Sequence, residues 1–534
     1  MKQLILTLTI TITILGICVA QSTFNRRFDF GGYPHSIFTA LAITDTAYYA
    51  TTVITDTANN NRAATMFVKL NLHGEVIHSK VFSLPNKSAE AWQAYLIETA
   101  EGSFVTVGYE IDVDGYDMFM IEFNAWGDTI RYRTFKNPYF PESHFFVPQS
   151  IVQTEDGGFL VVSHISLPGP HNPQLLAIKT DRYFNVDWQR EYGNNWLDGN
   201  NCTITDSDGG YLLGGIRANI NLVPYNGTWR MSLLKIDSEG NEIWEYLTPF
   251  PELWYKACDI IQTEDGGLVV ATGNGYRQSW PSGVDSITMY FLKHVITKLN
   301  SNLEEEWTTP FRSLTHSPEN KYNRMVRSTD GLGYVAAGEA DIPDTLSLSR
   351  YMKFGWLTKV SEQGDSLWAR YLEVVQSESD SFLYGFQHAL FDIKPCPDGG
   401  YLLCGYSVSL VAPPYQRAWI LKVDEYGCLV PGCQGIIDDT GSPPAASSQP
   451  VMLLYPNPAS DYLHIYIHDK TSGETITPDK LEIYDAQGRK LLTHSTPVSD
   501  ATYSIYVQNF PPGIYTLNWV HGNQIKAVKQ WVKN

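Results

Sequence analysis

Residues Glu155–Val162 read EDGGFLVV, an Asp-Gly-Gly turn that runs directly into an apolar strand. The same phrase returns at Ser207–Leu213, Glu264–Val270 and Pro397–Leu403. A second phrase follows it, a strand that ends in a charged turn and then an aromatic residue, as at Leu233–Trp244. Recurrence of this kind predicts a repeat architecture, a scaffold that can host many functions.

Each repeat contains four short segments rich in β-branched and aromatic residues, separated by turn signals. The second segments, such as FLVV at Phe159–Val162, are apolar at consecutive positions, which is typical of strands covered on both faces. The second turns recur about every 59 residues, at Gly74, Gly127, Asn185, Gly240, Asn302, Gly364 and Gly427. This pattern predicts an all-β fold, a seven-bladed β-propeller over residues 21–434. An open solenoid is the alternative, but it needs polar caps that the ends do not show.

The last repeat ends too early. Its first three strands are present, but the chain turns at Gly427 and reaches Cys433 without a fourth strand. Phe24–Phe30 (FNRRFDF) resembles the fourth strands of other repeats, such as WQREY at Trp188–Tyr192. We therefore expect the N-terminal strand to complete the last blade and close the ring, which removes an exposed sheet edge.

The first 20 residues predict export. Met1-Lys2 precedes an apolar stretch that ends in Cys18-Val19-Ala20, the pattern of a secretory signal peptide cleaved after Ala20. Cys18 also permits a lipoprotein reading, although Ile17 occupies a position where lipid attachment favours a small residue. The formal charge of −19, from 38 basic and 57 acidic residues, disfavours nucleic acid and anionic membranes as partners.

Six cysteines remain after the predicted cleavage, and an exported chain can oxidise them. Cys428 and Cys433 enclose a four-residue turn and are the pair that we expect to form a disulfide. The other four lie in or beside strand-like segments, where buried free cysteine is the commoner state: Cys202, Cys258, Cys396 and Cys404. None has the spacing of a zinc site.

Residues 435–450 are rich in Pro, Ser and small residues and predict a linker. Residues 451–534 then alternate short strands and turns, which predicts a small Ig-like β-sandwich. Three separate motifs occur in this segment, and their key residues are Pro456, Asn457, Pro458, Asp485, Gly488, Arg489, Gly513, Tyr515 and Lys529.

In the order and spacing of these motifs, the last 85 or so residues resemble the C-terminal sorting domain of the type IX secretion system. The resemblance implies passage across the inner membrane, then export by that machinery to the surface of a Gram-negative bacterium or into the medium. An adhesive sandwich such as a carbohydrate-binding module is the alternative interpretation of this segment.

Motifs of catalysis are missing from the sequence: it has no HExxH, GxSxG, P-loop or dinucleotide-binding turn. The Asp-Gly-Gly turns lie in hairpins, so they predict no phosphate site. Asp112–Asp117 resembles the start of an EF-hand calcium loop but lacks the bidentate Glu at the end of such a loop. We therefore interpret it as a hairpin turn. We therefore predict no catalytic residue, metal or cofactor from local motifs.

The connections opposite the tight turns are long and variable, the usual place for binding on a rigid scaffold. They are rich in aromatic residues, which suit sugar rings or extended peptides. The candidate ligand-binding residues are Tyr139, Phe140, Phe145, Phe146, Trp196, Trp254, Tyr255, Trp280 and Tyr415. Packing between blades is the alternative role for each.

Three functions remain open from the sequence. The first is an exported binding or adhesion protein for a glycan or protein, and the second a secreted polysaccharide- or peptide-degrading hydrolase or lyase. The third is a structural member of a surface complex. An enzyme would need carboxylates that converge from several blades. The candidates are Asp198, Glu252, Asp259, Asp285, Glu339 and Asp341.

Overall fold

The structure is a computed structural model. It describes residues 22–92, 95–113, 115–138, 144–165, 174–193, 196–219, 229–248, 254–282, 285–311, 320–343, 351–374, 387–409, 415–429, 451–455, 459, 461–468, 480–485, 489–495, 502–521 and 524–533. Their regular secondary structure consists of β-strands, joined by turns, and of one 3-10 turn at Thr57–Asn59. The all-β prediction is therefore confirmed.

The N-terminal part folds into consecutive antiparallel units. After β1 (Phe24–Phe28), unit 1 contains β2 (Ser36–Ile43), β3 (Tyr48–Asp56), β4 (Arg62–Leu70) and β5 (Val76–Phe82). Unit 2 contains β6 (Ser88–Glu90), β7 (Ile97–Glu98), β8 (Phe104–Ile111), β9 (Gly115–Phe123) and β10 (Thr129–Phe135). Unit 3 contains β11 (His144–Gln153), β12 (Phe159–Ile165), β13 (Gln174–Thr180) and β14 (Val186–Tyr192).

The same order of strands continues. Unit 4 contains β15 (Trp196–Thr205), β16 (Tyr211–Asn219), β17 (Trp229–Ile236) and β18 (Glu242–Leu247). Unit 5 contains β19 (Trp254–Gln262), β20 (Leu268–Ser282), β21 (Asp285–Leu299) and β22 (Glu305–Phe311). Unit 6 contains β23 (Lys321–Arg327), β24 (Gly333–Pro343), β25 (Tyr351–Ser361) and β26 (Ser366–Leu372), and unit 7 contains β27 (Gln387–Pro395), β28 (Tyr401–Ser409) and β29 (Tyr415–Val423).

The Asp-Gly-Gly phrase has a clear structural role in the turn between the first and second strands. In unit 3, Asp156 Oδ1 accepts a hydrogen bond from Gly158 N at 3.0 Å, and Oδ2 accepts one from Lys179 Nζ on the third strand at 2.7 Å. Corresponding Asp–Lys pairs join Asp208 to Lys235, Asp265 to Lys298, Asp330 to Lys359 and Asp398 to Lys422. The aspartate thus ties its turn to the third strand.

The second turn, between the third and fourth strands, needs one residue with a left-handed backbone. Glycine fills this position in most units, for example Gly240 (φ +83°) and Gly364 (φ +86°). In units 3 and 5 the left-handed residues are Phe184 and Leu303, one position before the predicted Asn185 and one after the predicted Asn302. Phe184 is fully buried, so its apolar contacts offset the backbone strain.

Aromatic residues of the fourth strands explain why glycine is favoured at this turn. A Cβ added to Gly364 would lie 2.6 Å from the ring of Trp307, which belongs to the preceding unit. Trp188 covers Gly240 and Trp368 covers Gly427 in the same way. The aromatic residues Trp188, Trp307 and Trp368 therefore each pack one unit onto the next.

Each unit shares a buried core with the following unit, and the last shares one with the first. In that last core, Phe38 and Leu41 of unit 1 pack with Leu402 and Ile420 of unit 7. Short parallel pairings also link β9 to β11 and β25 to β27. The packing of units therefore closes on itself.

The N-terminal strand β1 lies at this junction. It pairs antiparallel with β29, from Phe24 opposite Lys422 to Phe28 opposite Ala418. Phe24 covers Gly74 of unit 1, the position that Trp188 takes over Gly240. Unit 7 thus receives its fourth strand from the start of the chain.

The C-terminal part contains two antiparallel sheets. Its strands are β30 (Val451–Tyr455), β31 (Tyr462–His468), β32 (Lys480–Tyr484), β33 (Lys490–Ser495), β34 (Thr502–Tyr506), β35 (Gly513–His521) and β36 (Gln524–Lys533). One sheet has the order β30-β31-β34 and the other β33-β32-β35-β36. Both contribute to one apolar core, which includes Leu463, Ile483 and the fully buried Trp531.

Candidate functional site

The first strand of each unit is interrupted at one place. Register shifts lie at Phe38/Ala40 in β2, Pro148/Ser150 in β11, Asn200/Cys202 in β15, Lys256/Cys258 in β19, Tyr322/Arg324 in β23 and Leu390/Asp392 in β27. In unit 2 the first strand is split into β6 and β7, and Trp92 and Tyr95 lie between them. A bulge re-aims side chains, and here the bulges of different units meet.

Tyr95 and Arg324 show where these bulges meet. The Arg324 guanidinium carbon lies 4.0 Å from the centre of the Tyr95 ring, although units 2 and 6 are not neighbours. Tyr95 Oη donates a hydrogen bond to Asn201 O of unit 4, at 3.1 Å. Because units 2, 4 and 6 are separated by others around the closed packing, they can touch only at its centre.

We call the residues gathered there the axial cluster: Trp92, Tyr95, Asp259, Arg324, Phe391 and Asp392. Trp92 and Phe391 also come from units that are not neighbours, and their ring centroids are 5.9 Å apart in an edge-to-face arrangement. Phe391 precedes Asp392 on β27, so the aromatic pair lies toward the end where the first strands begin. That end faces away from the Asp-Gly-Gly turns.

Two buried carboxylates of the cluster bind backbone amides. Asp259 Oδ2 accepts a hydrogen bond from Met325 N of the next unit at 2.7 Å. Asp392 Oδ2 accepts one from Leu41 N of unit 1 at 2.8 Å, and Oδ1 accepts one from Ile393 N at 2.9 Å. These bonds join the first strands of successive units, so both carboxylates have a structural role.

Electrostatics in the cluster follow from burial and proximity. Burial raises the pKa of Asp259, while the Arg324 guanidinium opposes the shift. Burial also raises the pKa of Tyr95 well above its usual value. For Arg324, burial alone would lower the pKa, but Tyr95, Asp259 and Asp392 raise it, so the guanidinium remains charged.

Arg324 keeps donors for a further partner. Its Nη1 donates a hydrogen bond to Asn323 O at 3.1 Å. Within the part of the chain that the structure describes, that is the only hydrogen bond of a side chain with five N–H donors. Arg324, Tyr95, Trp92 and Phe391 are all half-buried, so they keep accessible surface at the axis. This arrangement can bind a polar group beside aromatic faces.

The sequence predicts the candidate aromatic residues in exposed loops, but the structure places several of them elsewhere. Phe146 is fully buried in the core between units 2 and 3, which removes it from the candidates. Phe145 is 36% exposed, and its ring centroid lies 5.5 Å from that of Tyr116. Tyr139 and Phe140 lie outside the described residues.

The other predicted aromatic residues lie in strands rather than loops, because the strands extend beyond the repeat phrase. Trp196 begins β15, Trp254 and Tyr255 begin β19, Trp280 lies in β20 and Tyr415 begins β29. They join the first strands or the hairpin arms of their units.

Among the carboxylates weighed from the sequence, Asp259 reaches the axial cluster. Glu339 has another role, because it lies between Lys321 and Lys353, at 3.0 and 2.8 Å, and these charges lower its pKa against the effect of burial. Asp341 is also on β24, Asp198 is on β15 and Asp285 on β21, while Glu252 lies outside the described residues.

Tyr95, Arg324, Trp92 and Asp392 were missed by sequence reasoning. They are far apart in the chain and form no local motif. The one available signal was the weak strand pattern of unit 2 around Trp92, where the first strand breaks.

At the calcium-like segment, two carboxylates are paired with lysines. Asp112 contacts Lys87 at 3.0 Å and Asp117 contacts Lys136 at 2.9 Å, while Asp114 lies outside the described residues. Among the residues that the structure describes, no group of three or more His, Cys, Asp or Glu side chains could hold a metal ion.

The cysteines differ in state. Cys428 is buried and disulfide-bonded, and its expected partner Cys433 lies outside the described residues. Cys202, Cys396 and Cys404 are free and buried. Cys258 lies in β19.

The C-terminal motif residues that the structure describes have structural roles. Asp485 accepts hydrogen bonds from Arg489 N at 2.8 Å and Arg489 Nε at 2.7 Å, which closes a turn. Tyr515 is buried, stacks on Trp531 with a centroid distance of 5.0 Å and donates a hydrogen bond to Pro511 O. Gly513 begins β35 and Lys529 pairs with Leu517, whereas Pro456, Asn457, Pro458 and Gly488 lie outside the described residues.

Comparison with solved structures gives remote likenesses. An ulvan lyase of a polysaccharide lyase family, solved bound to a GlcA(1-4)Rha3S saccharide, is 10% identical over 76% of this chain and 97% of its own, with a TM-score of 0.48. A protein of unknown function from Dyadobacter fermentans is 10% identical over 64% of this chain and 96% of its own (TM-score 0.40). An α-L-arabinofuranosidase from Fusarium graminearum is 10% identical over 61% of this chain and 91% of its own (TM-score 0.34). None of these likenesses assigns an activity to this chain.

No curated protein matches the sequence. In the described part of the chain, no helix has the length and apolar character needed to span a membrane. Residues 453–534 match the family described as secretion system C-terminal sorting domain, in agreement with the resemblance drawn from the motifs. The C-terminal part is therefore a type IX sorting domain, and the protein is exported by that machinery to the cell surface or the extracellular medium.

Proposed function

We propose that this protein is an exported binding or adhesion protein, in which a seven-bladed β-propeller presents one face to a glycan or protein ligand. A signal peptide cleaved after Ala20 and an Ig-like sorting domain after the 435–450 linker would deliver it. A Cys428–Cys433 disulfide would secure the end of the propeller.

The observation that carries this proposal is the contrast between the two faces of the units. On one face, the turns are short and their backbone groups are bonded by the Asp and Asn side chains of the repeat phrase, such as Asp156 and Asp237. On the other face, the connections are longer, for example from Leu372 to Gln387 and from Phe311 to Lys321. The Trp92–Phe391 pair lies toward this second face, which we call the loop face.

The loop face supports binding because it combines aromatic surface with a rigid centre. Aromatic side chains offer flat apolar area with little entropy to lose, and the ring of shared cores holds them in place. The two axial carboxylates bind backbone amides, so they do not have the freedom of a general acid and base pair.

A secreted polysaccharide-degrading enzyme is the second candidate. The raised pKa of Asp259, together with Tyr95 and Arg324 at the centre of the molecule, is the observation that favours it. In that case Asp259 would have to exchange its backbone partners for substrate during the reaction.

The test is a combined array of glycans and surface proteins, probed with the full exported chain and with a Trp92→Ala variant. We expect a specific ligand that binds the wild type at least tenfold more strongly than the variant. A tight-turn variant such as Glu239→Ala, on the opposite face, serves as the matched control and should bind like the wild type. Binding of no glycan and no protein would contradict the proposed function.

A further inference from the structure

We propose that Arg324 binds the carboxylate of an acidic sugar residue on the loop-face side of the axial cluster. This inference rests on the proposed binding function and names its ligand class and its central contact. It depends on three features of the cluster: open donors on the guanidinium, local charge balance, and aromatic faces at the right level.

The first feature is the set of open N–H donors on the Arg324 guanidinium. The Arg324 guanidinium lies over the Tyr95 ring and uses Nη1 for Asn323 O. Its remaining N–H groups have no hydrogen-bond partner among the described residues, although the side chain is half-buried. A planar fork of donors matches a carboxylate, which accepts two parallel hydrogen bonds.

Charge balance is the second feature. Asp259 and Asp392 lie near the guanidinium, but both are occupied by backbone N–H groups of the neighbouring first strands. Lys394 also contacts Asp392, at 3.5 Å. The two cations and two carboxylates leave the cluster nearly neutral, and repulsion from the distant acidic surface is screened beyond about 8 Å at physiological salt. A carboxylate can therefore approach Arg324.

The aromatic faces decide between ligand classes. In the register of the first strands, Phe391 occupies the same bulge position as Asn323, and Asp392 the same position as Arg324. Phe391 and the Trp92 ring that contacts it therefore lie one residue closer to the loop face than Arg324. A sugar ring that stacks there would place its carboxylate toward the guanidinium. A glutamate or aspartate side chain of an acidic peptide offers the charge without a sugar ring whose C–H face can stack on an aromatic ring, so we favour the uronic acid.

The test uses calorimetric titration of the full exported protein with tetragalacturonate and with its methyl ester. The two probes share the same rings, and the ester lacks the negative charges. We expect the acid to bind at least tenfold more tightly than the ester. Arg324→Gln should abolish this difference, while Arg324→Lys, which keeps the charge and loses the fork, should keep part of it.

These measurements separate failure of uronic acid binding from failure of ligand binding in general. The comparison of acid and ester on the wild type needs no variant, so a misfolded Arg324→Gln protein would not block the test. A change in tryptophan emission that disappears in Trp92→Phe would place the sugar at the axis. Equal affinity for both probes, or preference for a polyglutamate peptide over tetragalacturonate, would overturn the inference. Failure of both sugars, with a different array ligand still bound, would overturn it and leave the proposed function standing.

Discussion

Arg324 and Tyr95 lie in contact, with the guanidinium carbon 4.0 Å from the ring centre, although 229 positions and several intervening strands separate them in the chain. The contact joins units 2 and 6, which share no core with each other. It is therefore a consequence of closure, and it would be lost if the units were opened at any junction.

A double-mutant cycle measures this contact. We expect Tyr95→Leu and Arg324→Gln each to lower the free energy of unfolding, with a coupling energy of about 0.5–2 kcal/mol, the range of cation–π pairs that are partly desolvated. The measurement is urea unfolding of the four proteins. Strict additivity of the two changes would show that the rings and charges do not interact across the axis.

Replacement of the glycine at the second turn should destabilise the protein, and a glycine at another turn serves as the control. Gly364→Ala should destabilise the protein by about 2–4 kcal/mol, since it combines a left-handed backbone with a clash against the Trp307 ring at 2.6 Å. Gly331 has a similar φ of +72° and no atom within 4 Å of an added Cβ, so Gly331→Ala should cost only about 1–2 kcal/mol. If thermal unfolding shows an equal loss of stability in both variants, the Trp307 ring is not the reason for glycine at position 364.

The junction of the chain ends depends on Asn25. Its Nδ2 donates to Glu373 O at 2.6 Å, and its Oδ1 accepts from the indole of the fully buried Trp419 at 2.6 Å. Asn25→Ala leaves that indole unsatisfied and should cost about 1–3 kcal/mol. Removal of residues 22–30 should lower the melting temperature much further, because β29 loses its partner strand. Thr46→Ala, in an exposed turn, is the control, and an unchanged melting temperature for the truncation would rule this closure out.

The contribution of two buried histidines to stability should fall on acidification below pH 6.5, whereas that of Glu373, whose pKa burial raises to about 8, should rise as the pH falls from 8 to 4.5. Burial lowers the pKa of His294 to about 3 and that of His164 to about 4, so the folded protein resists protonation while the unfolded chain takes up protons near pH 6.5. Because these folded-state pKa values are depressed, their stabilising contribution is complete above pH 6.5 and falls toward pH 4, by up to about 1.4 kcal/mol per pH unit for each histidine.

Urea midpoints between pH 4 and 8 test this dependence. His164 Nε2 accepts a hydrogen bond from Asn200 N at 3.2 Å, a role that glutamine can take over without titrating. His164→Gln should therefore give a shallower decline below pH 6.5. The Asp156 and Asp330 carboxylates contribute only at lower pH. Burial raises their pKa values, but Lys179 and Lys359 lower them to about 2. Their stabilising contributions are therefore lost only below about pH 4. An identical slope in the variant would remove His164 from the explanation.

Export should depend on the packing of the sorting domain. Trp531 is fully buried against Tyr515, and Trp531→Ala should cost about 3–5 kcal/mol, enough to unfold a small sandwich. We expect the variant to accumulate inside the outer membrane, while the exposed Leu491→Ala control is exported. Fractionation of cells and medium, followed by immunoblotting, measures this. Normal export of the Trp531 variant would show that recognition does not need the folded domain.

The sequence predicted the repeat and its turns well, because the Asp-Gly-Gly and charged-turn phrases are local and each is reinforced by hydrogen bonds within a few residues. The predicted turn positions miss Phe184 and Leu303 because glycine and asparagine are the usual markers of the left-handed backbone, whereas apolar contacts can replace them. The axial cluster was out of reach of pattern reasoning. Trp92, Tyr95, Arg324 and Asp392 meet only through bulges in separate strands, and the sequence has no motif for such a bulge.

The most direct test of the proposed function is mass analysis of each glycan recovered from the full exported protein after prolonged incubation. The account predicts that the bound glycan is recovered with its original mass, because Asp259 and Asp392 stay bonded to Met325 N and Leu41 N. Shorter products, with new reducing ends or unsaturated termini, would contradict a binding protein and favour the secreted enzyme.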